Sequence, residues 1–382
     1  MSRPDVLVVG GGVVGCAVAG HLARAGLAVR LLARDALAGG ASGAAAGMLT
    51  PLAEAAGGGP LLRWGLHSLE RLPALVDELR ARCGVDPQLE RSGVLRVAVG
   101  ASDEEALRAL VARHPGLDLR WLDADALRTA RPGLAPTLRG ALLSPREAHL
   151  QSPLLVRAYA EAAARLGARI GTGVPVTGLL REGGRVVGCA TPAERIHAGA
   201  VVLCGGVSSP QLLTGEGEGA TRPLPVAPVR GQIVRVDAPG AGGGPIVWGA
   251  HAYLVPKRDG SLVVGATEER AGFDRRVTAG GVRALLAAGE ALWPGLVDAG
   301  FLGAWAGLRP TTPDRLPLIG PWPEAAGLVL ATGHHRAGVQ LSPATGEIVR
   351  DGLLGKGWAE PAFLPERLWA AEGGDGGAQS GS

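Results

Sequence analysis

Three glycines near the amino terminus have the spacing of a loop that binds the pyrophosphate of a dinucleotide. The spacing is Gly10-x-Gly12-x-x-Gly15, directly after an apolar run over 6–9. In such a loop the first glycine permits a tight turn, the second lets backbone approach phosphate, and the third lets the next helix pack closely. The start of that helix offers free N–H groups and a partial positive charge. We therefore predict a dinucleotide site here.

A second candidate site consists of Arg309, with Tyr253 and His251 on another apolar segment. A guanidinium pairs with a carboxylate through two hydrogen bonds and keeps its charge, so it could bind a ligand that carries a carboxylate. His251 and Tyr253 would share one face of a strand. Alternatively, Arg309 is a structural partner of Asp314, and Tyr253 is a core residue. The residues alone leave both interpretations open.

The elements that would position these residues follow from hydrophobic periodicity and turn signals. Around the glycine loop we predict a strand over 6–9, a helix over 16–25 and a strand over 28–33. Further predicted elements are a helix over 60–83 kinked at Pro73, a strand over 93–99, a helix to Arg113 capped by Ser102 with Glu105, a helix over 153–166 capped by Ser152, short strands over 170–191, a buried strand over 200–206 that ends in glycines, a hairpin over 251–267, a strand over 327–332, and a helix from about 340 to 350.

The composition is that of an ordinary globular protein with one large domain or two. The 382 residues are 47% hydrophobic and 19% charged, with a net charge of +3. Without a basic block or a long unbroken apolar run, we predict neither nucleic-acid binding nor a membrane span. The four cysteines are far apart and form no CxxC, which favours reduced core thiols in a cytoplasmic protein. His334 and His335 have no third ligand at a suitable spacing, so we predict no metal site.

The end of the second predicted strand departs from the usual dinucleotide motif. A carboxylate normally binds the ribose hydroxyls there, but this chain has Ala33, then Arg34, with Asp35 two residues late. Either backbone near Arg34 holds the ribose, or the motif is degenerate. Arg34 could also bind the 2′-phosphate of a nicotinamide cofactor, which makes a nicotinamide dehydrogenase an alternative. That alternative leaves the motifs in the second half of the chain unexplained.

Several separated segments resemble one family. They are 10–15 (GGGVVG), 44–48 (AAAGM), 251–256 (HAYLVP), 305–310 (WAGLRP) and 333–338 (GHHRAG), in that order. Over roughly residues 4–365 the chain resembles the glycine oxidases of thiamine biosynthesis, in the D-amino acid oxidase group of FAD enzymes. The resemblance implies an α/β fold, α+β overall: a Rossmann-like FAD-binding domain with an inserted, mostly antiparallel β substrate domain.

The resemblance also implies domain boundaries and partners. The FAD-binding domain would comprise 1–84, 145–222 and 304–366, the substrate domain 85–144 and 223–303, and 367–382 would be a disordered tail. FAD would be bound non-covalently, in a cytoplasmic homotetramer that uses a small amino acid or amine and dioxygen.

Carried over residue by residue, the resemblance assigns the site. Arg309 would bind the substrate carboxylate, Tyr253 would close the pocket, and His251 and Arg336 would stand nearby. The residues that would surround FAD are Gly10, Gly12, Val13, Val14, Gly15, Ala33, Arg34, Ala41, Ser42, Ala46, Gly47, Met48, Val176, Gly333, His334, His335, Arg336, Ala337, Gly338, Val339 and Gln340. The N–H groups near Gly338, at a helix start, would face the flavin edge that becomes negative on reduction.

The implied reaction is oxidative deamination of glycine and similar small amines, giving an imine or glyoxylate, ammonia and hydrogen peroxide. A sarcosine-type or D-amino acid oxidase is the nearest alternative. Monomeric sarcosine oxidases attach FAD to a carboxyl-terminal cysteine, and this chain has none after Cys204. Another class would be a non-catalytic flavin-binding subunit. Glu268, where the family can have an apolar pocket residue, leaves the substrate preference open.

Overall fold

The computed structural model describes residues 3–213, 222–238, 240 and 243–370. The chain forms two compact units: the first comprises Met1–Gly39, Val156–Ala227 and Pro310–Ser382, and the second comprises Gly40–Leu155 and Pro228–Arg309. The domain boundaries implied by the resemblance differ from these units, because they place 40–84, 145–155 and 304–309 with the nucleotide-binding part and 223–227 with the substrate domain.

The described ranges contain the following elements. The strands are β1 (Val6–Val9), β2 (Val29–Leu32), β3 (Met48–Leu49), β4 (Val94–Ala98), β5 (Arg120–Asp123), β6 (Gly140–Ser144), β7 (Ala148–His149), β8 (Arg169–Gly171), β9 (Gly178–Glu182), β10 (Arg185–Ala190), β11 (Arg195–His197), β12 (Ala200–Leu203), β13 (Ala227–Asp237), β14 (Ile246–Trp248), β15 (Tyr253–Pro256), β16 (Ser261–Gly265), β17 (Gly300–Thr311), β18 (Leu318–Pro321) and β19 (Leu328–Thr332). The α-helices are α1 (Val13–Arg24), α2 (Ala41–Ala44), α3 (Pro51–Glu54), α4 (Pro60–Cys83), α5 (Ala101–Arg113), α6 (Ala124–Ala130), α7 (Ser152–Arg165), α8 (Ser209–Leu213), α9 (Ala279–Glu290), α10 (Ser342–Leu353) and α11 (Arg367–Ala370).

The first unit is built on a six-stranded sheet in the order β18-β19-β12-β1-β2-β8. All its neighbouring strands run parallel except β18, which is antiparallel to β19. All four residues of β1 are buried, as expected for a parallel strand covered on both faces. Helices α1 and α10 pack closely, since a Cβ at Gly346 would lie 2.3 Å from the His21 ring. This is the predicted Rossmann-like architecture.

The second unit is built on an eight-stranded sheet in the order β17-β13-β16-β15-β14-β4-β6-β5, mostly antiparallel. Alternate residues of its strands point to opposite faces. One face, with Leu254 and Val264, packs on the side of α9 that carries Leu285. The other face, which we call the site face, carries Ile233, Tyr253, Val255 and Val263 and packs with Ala46. The predicted mixed fold is confirmed.

The helix over 60–83 has the predicted bounds, and the hairpin forms with shorter strands than predicted, β15 and β16. Several other element ends also differ. The amino terminus of α5 is held by Asp103, whose carboxylate accepts hydrogen bonds from the N–H groups of Gly100 at 2.9 Å and Val99 at 3.1 Å. The predicted cap by Ser102 with Glu105 is wrong, because the helix starts earlier and Asp103 occupies its third position. Ser152 does not cap α7; its Oγ donates to the Ser42 carbonyl at 2.7 Å.

The carboxyl-terminal elements also differ from the predictions. Helix α10 begins at Ser342 rather than near 340. The predicted disordered tail began at 367, but Arg367 opens α11 and its Nε donates to Asp314 Oδ2 at 2.8 Å. Residues 371–382 lie outside the described residues.

All four cysteines are free thiols. Cys16, Cys189 and Cys204 are buried, and burial raises the pKa of Cys16 and of Cys189 to about 12 and that of Cys204 further. Cys83 is half-buried, and its Sγ donates to the Leu79 carbonyl. Three of the four predicted core thiols are thus buried, and Cys83 lies outside the core. Among the described residues, no helix has the length and apolar character to cross a membrane.

A buried carboxyl stabilises the start of α3 in the second unit. Glu147 is 1% exposed, and its Oε1 accepts hydrogen bonds from the N–H groups of Leu52 at 2.7 Å and Ala53 at 3.2 Å. Burial raises the pKa of Glu147 to about 7, although these hydrogen bonds and the charge of Arg96 oppose the rise.

Candidate functional site

The turn between β1 and α1 places the predicted glycines against neighbouring backbone. Gly10 has a φ of 125°, and a Cβ there would lie 2.3 Å from the Cys204 carbonyl oxygen. A Cβ at Gly15 would lie 1.9 Å from the Gly10 carbonyl oxygen. Any side chain at either position would collide with backbone, so this turn requires glycine.

The amino terminus of α1 is open to an anion. Its N-cap residue is Gly12, no side chain caps it, and its first turn, which begins with Val13 and Val14, contains no acidic residue. Within the described part of the chain, the N–H groups of Gly11 and Gly12 donate to no acceptor. Unbonded N–H groups at a helix start attract phosphate. The turn therefore fits the pyrophosphate of a dinucleotide.

The end of β2 has a methyl group where the usual motif has an acid. Ala33 is buried, and a Cβ at Gly11 would lie 2.6 Å from the Ala33 Cβ. Arg34 and Asp35 are exposed and pair with each other, with Nε and Oδ2 3.1 Å apart. Such exposed pairs contribute little to stability. Ala33 and Arg34 stay predicted contacts of the ribose.

Two histidines follow β19 in the first unit. His334 is buried, its Nε2 lies 3.0 Å from Thr345 Oγ1, and burial lowers its pKa to about 3, so it is neutral near pH 7. His335 has a φ of 48°, its Nδ1 lies 2.7 Å from Thr311 Oγ1, and its N–H donates to the Pro310 carbonyl at 2.7 Å. Among the described residues, no three His, Cys, Asp or Glu side chains are placed to share a metal ion.

The loop from β19 to α10 contains the remaining predicted residues of this unit. Gly333 has a φ of 74°, and a Cβ there would lie 2.7 Å from Thr312 Cγ2. Arg336 is half-buried. In the described ranges, the N–H groups of Gly338 and Val339 donate to no acceptor. These two donors precede α10, which makes them available to an anionic group. Ala337 and Gln340 are buried in the same loop, and Val176 is half-buried between β8 and β9.

The small-residue segment 41–48 belongs to the second unit and is held at several backbone atoms. Ala41 starts α2, and the Ser42 carbonyl accepts a hydrogen bond from the Ser152 hydroxyl. Gly47 has a φ of 79°, and a Cβ there would lie 2.0 Å from the Leu150 carbonyl oxygen. Met48 follows as the first residue of β3, which pairs with β7. The segment therefore consists of the short helix α2, a turn at Gly47 and the start of β3, held by these backbone contacts.

Lys257, which sequence reasoning did not single out, anchors this segment. Its Nζ donates to the carbonyls of Ala46 at 2.6 Å and Leu150 at 3.0 Å, and the residue is 5% exposed. Burial lowers the pKa of Lys257 to about 7. The chain has only one other lysine, Lys356, so the rarity of lysine was the one sequence signal that pointed to Lys257.

The guanidinium of Arg309 lies against the backbone of β13 at Gly231. A Cβ at Gly231 would lie 2.4 Å from Arg309 Nη2 and 2.5 Å from Nη1. Arg309 Nη1 donates to the Thr267 carbonyl at 3.0 Å. Asp314, the alternative partner considered for Arg309, pairs instead with Arg367.

Tyr253 also lies over a glycine, on the neighbouring strand β16. A Cβ at Gly265 would lie 2.5 Å from Tyr253 Oη. Gly265 is directly opposite Ile233, so both point to the site face, as does Gly231 two residues before Ile233. One strand spacing and two residues separate the two glycines, about 8 Å between Cα atoms. The structure thus brings the predicted Arg309 and Tyr253 together on one face.

Two other predicted residues lie elsewhere. His251 is exposed and precedes β15, so the predicted face shared with Tyr253 along one strand is wrong. Glu268 is also exposed; the carboxylate directed inward is its neighbour Glu269, which bonds Arg230 and Gln232. Sequence reasoning missed Glu269, Arg230 and Gln232. The only sequence signal for them was that polar residues occur together within otherwise apolar segments.

Comparison with known proteins identifies the family. The sequence matches the family model described as DAO, FAD dependent oxidoreductase, over residues 5–351. The chain belongs to the FAD-dependent oxidoreductase family. It is 36% identical to the glycine oxidase of Geobacillus kaustophilus (strain HTA426), over 91% of this chain and 92% of that protein. It is 34% identical to the bifunctional protein ThiO/ThiG of Synechocystis sp., over 95% of this chain but only 54% of that protein.

The fold agrees with this membership of the FAD-dependent oxidoreductase family. The crystal structure of the Geobacillus kaustophilus glycine oxidase matches with a TM-score of 0.88 at 35% identity, over 95% of this chain and 98% of that one. The predicted resemblance, the FAD cofactor and the assignment as an FAD-dependent amino-acid oxidase are confirmed. The nicotinamide dehydrogenase alternative is therefore wrong.

Proposed function

We propose that this protein oxidises glycine and similarly small amino acids with FAD. The observation that carries the proposal is the pair of side chains on the site face: the Arg309 guanidinium over Gly231 and the Tyr253 phenol over Gly265. A cation and an aromatic hydroxyl on one apolar sheet suit a small molecule with one carboxylate. The curated relatives named glycine oxidase support the same substrate class.

Arg309 would bind the substrate carboxylate through two charge-assisted hydrogen bonds. Its Nη1 already donates to the Thr267 carbonyl, so the direction of the guanidinium is fixed before substrate arrives. A fixed carboxylate fixes the position of the substrate Cα, and such positioning is a large part of catalysis. Tyr253, 5% exposed and packed at 5.7 Å between ring centroids against Trp248, would limit the size of the substrate side chain. His251 and Arg336 stay predicted neighbours of the substrate, and we assign no further role to either.

The residues that would hold FAD are those predicted from the sequence. The turn at Gly10, Gly12 and Gly15 would bind the pyrophosphate, and the segment from Ala46 to Met48 would lie against the flavin. The free N–H groups of Gly338 and Val339 would donate to the anionic edge of the ring. When bound, FAD supplies the acceptor for the hydride that leaves the substrate Cα.

The overall reaction would convert glycine, dioxygen and water into glyoxylate, ammonia and hydrogen peroxide, with the imine of glycine as the first product. A place in thiazole formation for thiamine is supported by the similarity to proteins named ThiO/ThiG. Non-covalent FAD, a homotetramer and a cytoplasmic location stay predictions of the resemblance.

The test is the visible spectrum of the purified protein before and after anaerobic addition of glycine. We expect a flavin band that bleaches with glycine and returns with air, and no change with methylamine, which lacks the carboxylate. Parallel additions of sarcosine and D-alanine compare how well each of these substrates bleaches the flavin band relative to glycine. A flavin band that responds to none of these amino acids would contradict the proposed substrate class.

A further inference from the structure

Nothing but glycine fits beneath the Arg309 guanidinium. A Cβ at Gly231 would lie 2.4 to 2.6 Å from three atoms of that group, well inside van der Waals contact. The atoms it would meet are the far end of a flexible side chain and not backbone. A methyl group at position 231 would therefore push the guanidinium aside while leaving the sheet intact.

The carbonyl that accepts from Arg309 is itself held in place by β13. The Thr267 N–H donates to the Gln232 carbonyl at 3.2 Å, and the Gln232 N–H donates to Thr267 Oγ1 at 2.8 Å. Gln232 is 1% exposed. Thr267 and Gln232 are thus locked together, next to the glycine under the guanidinium.

Glu269 ties this pair to a buried cation. Its Oε1 accepts from Gln232 Nε2 at 2.7 Å and from Thr267 Oγ1 at 2.5 Å. Its Oε2 accepts two hydrogen bonds from Arg230, and the two residues also exchange backbone hydrogen bonds at 2.9 Å each way. Arg230 is 6% exposed and forms a second ion pair with Asp274 at 3.1 Å. Although burial opposes it, hydrogen bonds from Thr267, Arg230 and Gln232 lower the pKa of Glu269.

Gln232 also connects this group of residues to the start of α9. Gln232 Oε1 accepts from the Thr278 N–H at 2.8 Å, and Thr278 Oγ1 accepts from the Gly281 N–H at 3.1 Å as the N-cap. A Cβ at Gly281 would lie 2.4 Å from Gln232 Nε2. The Glu269 cluster, which we define as Arg230, Gln232, Thr267, Glu269 and Thr278, therefore spans β13, the segment after β16 and α9.

We propose that Gly231, Gln232 and Glu269 are positioning residues that set where the Arg309 guanidinium, and hence the substrate carboxylate, is held. Gly231 provides the surface on which the guanidinium lies, and the Glu269 cluster fixes the carbonyl of Thr267 that orients it. This inference rests on the proposed role of Arg309. It adds that affinity for the carboxylate depends on three residues that do not touch the substrate.

The first test is Gly231→Ala in the FAD-loaded protein. The KM for glycine, and the dissociation constant of glycolate measured from the flavin spectrum, should each rise about tenfold or more, because a displaced guanidinium loses one of two charge-assisted bonds. FAD content and thermal unfolding should be unchanged. Gly280→Ala is the matched control, since a Cβ there meets nothing within 4 Å. Unchanged glycolate affinity in Gly231→Ala overturns the proposal.

A double-mutant cycle separates this inference from the proposed function. In an Arg309→Leu background, Gly231→Ala should have no further effect on glycolate affinity, because the group that it displaces is gone. An equal effect in both backgrounds overturns the inference alone. If Arg309→Leu itself leaves the affinity unchanged, the proposed function is contradicted.

The second test is Glu269→Gln, which places an N–H₂ donor among groups that donate. We expect the KM for glycine to rise about tenfold while kcat falls less, with FAD retained, because the carboxylate site is shifted and not removed. Glu290→Gln, at an exposed carboxylate of the same unit, is the control. Should Glu269→Gln fold poorly, Gly281→Ala displaces the Gln232 amide instead. A loss of thermal stability with unchanged KM and unchanged glycolate affinity in either variant overturns the role of the cluster.

Discussion

Arg309 is the residue on which the proposed chemistry depends most. Replacing it with leucine removes the charged partner of the substrate carboxylate, and loss of such an interaction is worth about 3 kcal/mol or more. We therefore expect the KM for glycine to rise by about two orders of magnitude or more, while FAD stays bound. Steady-state kinetics together with the ratio of flavin to protein absorbance measure both quantities. Unchanged kinetics would remove Arg309 from the site.

The family resemblance, and not residue type and local context alone, predicted Arg309 and Tyr253 as members of one site. The residues under and behind them were not predictable, because Gly231 and Gly265 matter only through strands paired across the sheet. The choice between Glu268 and Glu269 shows the same limit. Adjacent residues of an extended segment point to opposite sides, so an error of one position changes an inward carboxylate into an exposed one.

At the scale of elements, α5 offers a direct test of which residues cap a helix. Asp103→Ala should lower the free energy of unfolding by about 1 kcal/mol, since it removes the acceptor of two backbone N–H groups at the helix start. Ser102→Ala should change stability by less than about 0.5 kcal/mol. Urea denaturation of both variants measures the difference. Equal losses would restore the cap predicted from the sequence.

The existence of most elements followed from periodicity, and their ends did not. The leucine spacing of 60–83 predicted α4 at its observed bounds, because Pro60 and Gly84 mark both ends. At α5 several polar residues compete for the cap, and at α10 the chain makes a turn over 338–340 before the helix begins. Periodicity also cannot say which core a helix joins; the resemblance placed 40–84 with the FAD-binding part, whereas its contacts lie mostly within the second unit.

For the molecule as a whole, Glu147 predicts how stability changes with pH. Its folded pKa of about 7 lies above the usual value of 4.5, so the neutral form stabilises the fold at low pH and this contribution is lost as the pH rises towards 7. Glu147→Gln keeps an oxygen that accepts from the N–H groups of Leu52 and Ala53, and its amide does not ionise. The variant therefore does not lose this part of the unfolding free energy as the pH rises. Relative to the parent, the variant should gain up to about 3 kcal/mol of unfolding free energy between about pH 5 and pH 8.

The measurement is urea denaturation of the FAD-loaded parent and variant at both pH values. Comparing the two proteins at each pH cancels the other titrating groups that they share. A difference in unfolding free energy that is the same at both pH values would contradict an ionising Glu147.

The three buried thiols have a consequence for how long such an enzyme survives its own turnover. Hydrogen peroxide, a product of the proposed reaction, oxidises thiolates rather than thiols, and burial keeps Cys16, Cys189 and Cys204 protonated. Cys16 and Cys204 lie beside the glycine turn, where a sulfinic acid would force that turn open. We expect prolonged turnover with glycine to leave these thiols intact by mass spectrometry, with any oxidation confined to the half-buried Cys83. Oxidised Cys16 in protein that still binds FAD would show that the interior opens during the catalytic cycle.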